Sequence, residues 1–493
     1  MKQRPLLTLT LGILVLAGHS TALQDSRPKR KKPPAQPAAK KAGPKKAKKT
    51  KKPKPKPIAY TNATVHVGRN GVVLRGATVL IEGKTIKKVG SKLDLPKGTK
   101  TVDCKGKHIS PGFVVPSGSR MGGISGSIKD KYADSIDPFD RTIKRGLAVG
   151  LPSFAHSSGG GSSSPAGKSA LVKFIPEELD DAVLEESILY TMRVPLGPSN
   201  WKKFKDSVEK VRKHQKAIKD YERKKAEGDK KAKEPKLDKK LEPTLAIIEG
   251  KSRLKISAGS ISFGFMRGGR GGMTLKLTRE ALKIAKLLEV GVILDNPYEG
   301  WIIPDEIAVT GSSCILMPRG RMPRDETRKD ENGSNLAACK ILDAAGVPVC
   351  VMPPPGRFGG SGLGTSGLLG RDLNTPFMDA CFAIRGGMDP ERALSTITYN
   401  PAKALGVDDH IGSIEPGKDA DLLILNGHPL SYKTFVLTAI VNGKVRYEKD
   451  KVPLYGHIRK SSSGSLVYGC VTRCYLSEAR RAGSTRRVAR TGP

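Results

Sequence analysis

"TREALKIAKLLEVGVILDN", residues 278–296, reads as an amphipathic helix, a glycine and a short buried strand. The same order recurs in "FDRTIKRGLAVGLPSFAH" (139–156) and "NLAACKILDAAGVPVCVM" (335–352). A helix–strand rhythm of this kind belongs to a parallel sheet covered by helices. The segment that carries it runs to about 290 residues, a length that suits a (β/α)8 barrel. A doubly wound open sheet is the alternative. It is disfavoured because no GxGxxG follows the first strand in the required setting.

On either side of this segment the texture changes. "ATVHVG" (63–68), "ATVLIEGKTIKKVG" (77–90) and "KTVDCKGKHIS" (100–110) are short alternating runs with Gly and Asn at the turns. "GSIEPGKDADLLILNG" (412–427) and "FVLTAIVNGKVRYEKD" (435–450) look the same. The expected fold is therefore α/β: a TIM-like barrel (112–405) inserted into a small composite β-sandwich, built from residues 58–111 and 406–450. Inside the barrel segment lies a Lys-rich helical insert, 199–240. Its apolar stripe is Trp201, Phe204, Val208, Val211, Ile218 and Tyr221, and its lysines form a solvated face.

The net charge of +40 over 493 residues is concentrated in appendages. Residues 26–57 hold fifteen Lys and Arg and no acid. With almost no large apolar residue, the stretch 23–57 is expected to be a disordered, Pro-stiffened linker. It should attract anionic cell-envelope polymer, with binding that weakens steeply as salt rises. No aromatic interleaving or nucleic-acid motif accompanies the charge. At the N-terminus, Lys2 and Arg4 precede the apolar run "LLTLTLGILVLAG" (6–18), and Ser20 and Ala22 have the spacing of a cleavage site. Residues 1–22 thus read as a signal peptide, and the expected location is the periplasm, the cell envelope or outside the cell. Residues 451–493 read as a basic disordered tail.

Cysteine usage shows no disulfide framework. Cys104, Cys314, Cys339, Cys350 and Cys381 sit singly in apolar or helical contexts and are expected to be core thiols. Cys470 and Cys474 lie close together, but no His or further Cys completes a zinc set.

Several of these stretches resemble the amidohydrolase superfamily, and within it the imidazolonepropionase-like branch. "GKHISPGFVVP" (106–116) resembles the family's entry into its barrel. "ALSTITYNPAKALGVDDHIGSIEPGKDADLLILNGHPL" (393–430) resembles its C-terminal signature. The resemblance covers about residues 58–450. It implies a barrel whose strand ends hold zinc or another divalent metal, and hydrolysis of non-peptide C–N bonds in cyclic amides or related small molecules. A bound metal would lower the pKa of its water to about 7 and polarise the carbonyl under attack.

The matching positions depart from that pattern. Ser117 and Ser119 stand where the family has its first two histidines, and Val115 where it has an Asp. Ser257 and Asn296 stand at the later histidines, and Pro354 at the catalytic aspartate. No histidine lies between His214 and His410. Lys173 matches a strand-end lysine of some relatives and is a weak metal candidate beside Asp295 and Glu299. Hydroxyl and amide groups are poor zinc donors, and proline transfers no proton. No cofactor is therefore expected. The expected protein is a catalytically degenerate amidohydrolase, a pseudoenzyme acting by binding a small molecule in the barrel pocket. Its alternatives are an active hydrolase with an unusual or absent metal, and an envelope protein defined by its basic linker. His156 and His108 are lone histidines. The Gly-rich loops around residues 157–167, 265–272 and 356–372, with Arg267, Arg270 and Arg357, offer an anion cradle on the barrel's active face.

Overall fold

The computed structural model describes residues 55–119, 121–124, 126, 128, 131–156, 158–229, 232–258, 272–320, 333–354 and 376–452. The expected signal peptide, almost all of the linker, the tail after residue 452, and Arg267, Arg270 and Arg357 lie outside the described residues.

Strands β1 (Ile58–His66), β2 (Val73–Glu82), β3 (Thr85–Gly90), β4 (Lys100–Asp103) and β5 (His108–Pro111) come first. Then follow β6 (Val114–Gly118), β7 (Ser153–His156), β8 (Ala166–Lys173) and β9 (Val183–Arg193). Next are β10 (Arg253–Ser257), β11 (Ile293–Asp295), β12 (Ser313–Leu316) and β13 (Val349–Val351). The last three are β14 (Leu422–Leu425), β15 (Val436–Val441) and β16 (Lys444–Glu448).

The end segments share one sheet, in the order β16-β15-β14-β5-β1-β2-β3, with β4 alongside β1. The junction is β14 against β5, where Leu422 faces Pro111 and Leu425 faces His108. Strand β14 is apolar at every position because both of its faces are covered. Leu422 and Ile424 join the sheet's own core with Val65, Val79 and Ile109, while Leu423 and Leu425 join the core of the barrel. The β15–β16 hairpin turns at Asn442 and Gly443, with φ of 49° and 72°. Two successive left-handed residues make the turn whose twist matches an antiparallel pair, and Asn-Gly adopts it at least cost.

The second sheet runs β13-β12-β11-β10-β9-β8-β7-β6 and curls into a nearly closed barrel. At the gap between β13 and β6, the turn after the helix Pro390–Ser395 substitutes for a ladder. The Val351 N–H donates to the Thr396 carbonyl, and the Val114 N–H to the Ile397 carbonyl. The barrel departs from an all-parallel one at a single strand. β8 pairs antiparallel with both β7 and β9, whereas β6–β7 and β9 through β13 pair in parallel. An apolar run such as "SALVKF" carries no signal of direction, and this reversal moves its terminal lysine to the other end of the barrel.

The Lys-rich insert is the long helix Gly197–Ala226, with Phe204, Val208 and Val211 buried, as its apolar stripe requires. Cys104, Cys314, Cys339 and Cys350 are buried free thiols and Cys381 is partly buried.

Candidate functional site

In a parallel barrel, reactive side chains collect where the strands end. Here β6, β7, β10 and β11 end in Ser117–Gly118, His156, Ser257 and Asp295. The group that occupies this mouth is Lys255. It lies two residues before Ser257, so it shares that residue's face of β10. Lys255 is 1% exposed, and its Nζ donates to Ser117 Oγ at 2.8 Å. The Asp295 carboxylate is close by, with Oδ2 at 3.8 Å. On β7, beside the strand that carries Ser117, His156 is buried, with Nδ1 3.1 Å from the Tyr132 hydroxyl. That hydroxyl donates to the Lys168 carbonyl at 2.7 Å, so His156 Nδ1 carries the proton and Nε2 is left as an acceptor. Burial, and then the nearby charge of Lys255, push the His156 pKa below the ordinary histidine value, so the ring is neutral at pH 7. Burial lifts the Tyr132 phenol to about 12.

The positions singled out from sequence divide into two groups. Ser117, Ser257 and Asp295 converge at the mouth, and Ser119 lies half-buried just past the end of β6. Asn296 is buried with a φ of 54°. Its carbonyl accepts from Met273 N–H, and its N–H donates to the Ile315 carbonyl. Its backbone thus joins neighbouring segments together. Pro354 lies just past the end of β13. Val115 is fully buried in the barrel core.

Two of the weak metal candidates have protein partners of their own. The Glu299 carboxylate accepts the backbone N–H groups of Leu275 at 2.5 Å and Gly333 at 3.3 Å, one on each oxygen. It ties the start of a helix to a loop. Lys173 pairs in register with Ser153, the first residue of β7, and so sits at the barrel rim opposite His156. Its Nζ lies 2.5 Å from Asp419, 2.9 Å from Asp421 and 2.8 Å from the Asn442 side-chain oxygen. Burial opposes its charge, but the carboxylates of Asp421 and Asp419 outweigh it and hold its pKa above the ordinary lysine value. Lys173 fastens the Asn-Gly turn of the end sheet to the barrel.

The donor set at the mouth does not fit a divalent metal. Among the described residues it offers two serines and one carboxylate, and an ammonium group stands 2.8 Å from Ser117. A cation so placed repels a second one, and hydroxyl groups bind zinc poorly unless deprotonated. The residue that the sequence reading passed over is Lys255. Its signal was a lysine at an inward position of the apolar strand "RLKIS", on the same side as Ser257. A separate cleft, lined by Asp343, Arg392, Tyr399 and Lys403 among others, lies beside Val347 and Pro348 before β13, away from these groups.

A model of the amidohydrolase family matches residues 359–459. The imidazolonepropionase of Porphyromonas gingivalis is 45% identical over 73 residues, which is 13% of this chain and 17% of that protein. The imidazolonepropionase of Symbiobacterium thermophilum is 27% identical over 166 residues, 30% of this chain and 36% of that protein. The matched stretches thus span well under half of the curated relatives. An amidohydrolase structure from Thermotoga maritima superposes with a TM-score of 0.57 and 23% identity, covering 80% of this chain and 100% of that one, a likeness of fold. Over residues 359–459 the chain is thus similar to the amidohydrolase family, shorter stretches of it are similar to imidazolonepropionases, and its barrel shares the fold of a solved amidohydrolase.

Proposed function

We propose that this barrel does not carry out metal-dependent hydrolysis and instead binds a small molecule that bears a carbonyl or carboxylate group. The observation that carries this reading is the Lys255 ammonium, 2.8 Å from Ser117 at the mouth. A cation fixed at the end of a barrel strand can do part of a metal's work, since it attracts and polarises an oxygen. It does not generate hydroxide. The neutral His156 ring adds an acceptor nearby. A charge-assisted hydrogen bond from Lys255 to a ligand oxygen would contribute about 1.5–3 kcal/mol.

The test has two arms. Cyclic amides of the imidazolone and hydantoin type, assayed with added Zn²⁺ or Mn²⁺, should show no turnover above the buffer rate. A calorimetric screen of small carboxylates should find binding that Lys255→Met removes. Metal-dependent turnover would sink the proposal.

The same 2.8 Å contact favours a second reading, a hydrolase that needs no metal. Serine–lysine pairs perform acyl transfer on other folds. The amine form of Lys255 would take the Ser117 proton as Oγ attacks the carbonyl. The leaving nitrogen would then receive that proton, and water would release the acyl group. Hydrolysis that is indifferent to chelators and abolished by Ser117→Ala would select this reading over the first.

A further inference from the structure

Away from the barrel mouth, three histidines and a glutamate meet where the end sheet touches the helix Pro390–Ser395. His66 ends β1, His108 begins β5, His428 follows β14, and Glu391 is the second residue of the helix. His66 is 2% exposed, while Glu391 and His428 keep part of their surface in solvent. His66 Nδ1 lies 2.9 Å from Glu391 Oε2, and His428 Nε2 lies 2.9 Å from Glu391 Oε1. The His108 Nδ1 atom is 2.8 Å from His66 Nε2. The ligand atoms of His66, Glu391 and His428 all fall within 4.8 Å of one another.

We infer that His66, Glu391 and His428 form a binding site for a divalent transition metal, distinct from the barrel mouth, with His108 as the supporting partner of His66. Two imidazole nitrogens and a carboxylate oxygen are the ligand types of zinc, cobalt and nickel rather than of magnesium or calcium. A zinc ion about 2 Å from each donor sets the donors a little over 3 Å apart, so the 2.9 Å contacts, one to each Glu391 oxygen, would open slightly while the wider separations, now within 4.8 Å, would close. Solvent reaches the exposed side of His428 and Glu391 and supplies the remaining position. The carboxylate is ready as an anion. One oxygen faces His428 Nε2 and the other His66 Nδ1. His66 would bind through Nδ1 and give its Nε2 proton to His108 Nδ1, the type of outer hydrogen bond that fixes a ligand's tautomer.

Two features of the present cluster must change. His66 donates from Nδ1 to Glu391, so its Nε2 accepts from His108; ligation through Nδ1 moves the His66 proton to Nε2 and reverses that hydrogen bond. The Leu430 N–H donates to His428 Nδ1 at 3.1 Å, which keeps the His428 proton on Nε2, facing Glu391. Ligation through Nε2 moves that proton to Nδ1, so loading must release the Leu430 amide. The site joins β1, the segment after β14 and a barrel helix, with His66 and Glu391 325 residues apart, so a bound ion would clamp the end sheet to the barrel.

The experiment uses the full chain, stripped with chelator and titrated with Zn²⁺ by calorimetry, with Co²⁺ absorption as a second probe. Binding close to one ion per chain is expected for the wild type. It should weaken more than tenfold in Glu391→Gln and in His428→Gln, about 10- to 100-fold in His108→Ala, and not at all in the barrel-mouth variant Ser117→Ala. In the wild type, zinc should also speed hydrogen exchange at the Leu430 amide, a readout that needs no variant. No zinc binding tighter than about 10 μM (a binding free energy near 7 kcal/mol), or full binding retained in both ligand variants, would overturn the assignment.

Discussion

Lys173→Ala is expected to destabilise the protein by about 3–5 kcal/mol, the usual cost of removing one member of a buried ion pair. Lys173 is almost fully buried and sits 2.5 Å and 2.9 Å from the carboxylates of Asp419 and Asp421, of which Asp421 is itself buried. Without the ammonium, two carboxylates would face each other in a space that water barely enters. The Asn442 side chain would also lose the donor that holds the last hairpin's turn. The urea midpoint at pH 7 measures the effect. A loss below about 1 kcal/mol would mean that the end sheet is held to the barrel mainly by β14 and its apolar contacts. The substitution should leave zinc binding unchanged, because Lys173 is part of neither site described above.

The second large effect is a pH dependence carried by Asp379. This residue is fully buried in the helix Phe377–Arg385 and accepts from Arg319 Nε at 3.1 Å and Nη2 at 2.8 Å. Burial raises its pKa from the ordinary aspartate value of 3.8 to about 6, and the partly exposed Arg319 offsets only some of that. The sign follows from which state binds the proton. Below pH 3.8 the carboxyl is protonated in both folded and unfolded chains. Between pH 3.8 and about 6 the unfolded chain gives up the proton and the folded chain keeps it, so the contribution to stability falls as pH rises. Above about 6 the loss is complete. Across this window the wild type should lose up to about 3 kcal/mol relative to Asp379→Asn, at about 1.4 kcal/mol per pH unit. Parallel curves for the two proteins would show that the Arg319 pair fully offsets the burial.

The helix–strand rhythm of residues 139–352 and the alternating runs at both ends were enough to place the barrel and the end sheet, because hydrophobic period is a local property. Direction is not local. Nothing in "KSALVKF" marks β8 as antiparallel, and that reversal is what takes Lys173 from the mouth to the opposite rim. Ser117, Ser257 and Asn296 were singled out one by one, from their place in the resembling pattern. What takes their place was not read, since Lys255 looked like an ordinary charged residue in a strand until β6 brought Ser117 to within 2.8 Å of it. The histidine–glutamate cluster was the least visible. Only His108 was noticed, and Glu391 meets His66 across 325 residues of chain through the packing of the sheet on a barrel helix.

The central claim is that an ammonium group occupies the place at the barrel mouth where the resembling family holds its metal. Diffraction at the zinc absorption edge, from crystals grown or soaked in Zn²⁺, tests it atom by atom. The account predicts an anomalous peak between His66, Glu391 and His428, and none among Ser117, Lys255 and Asp295, with the Lys255–Ser117 contact intact. A strong peak within bonding distance of Ser117 or Asp295, with Lys255 turned away to admit it, would contradict the account.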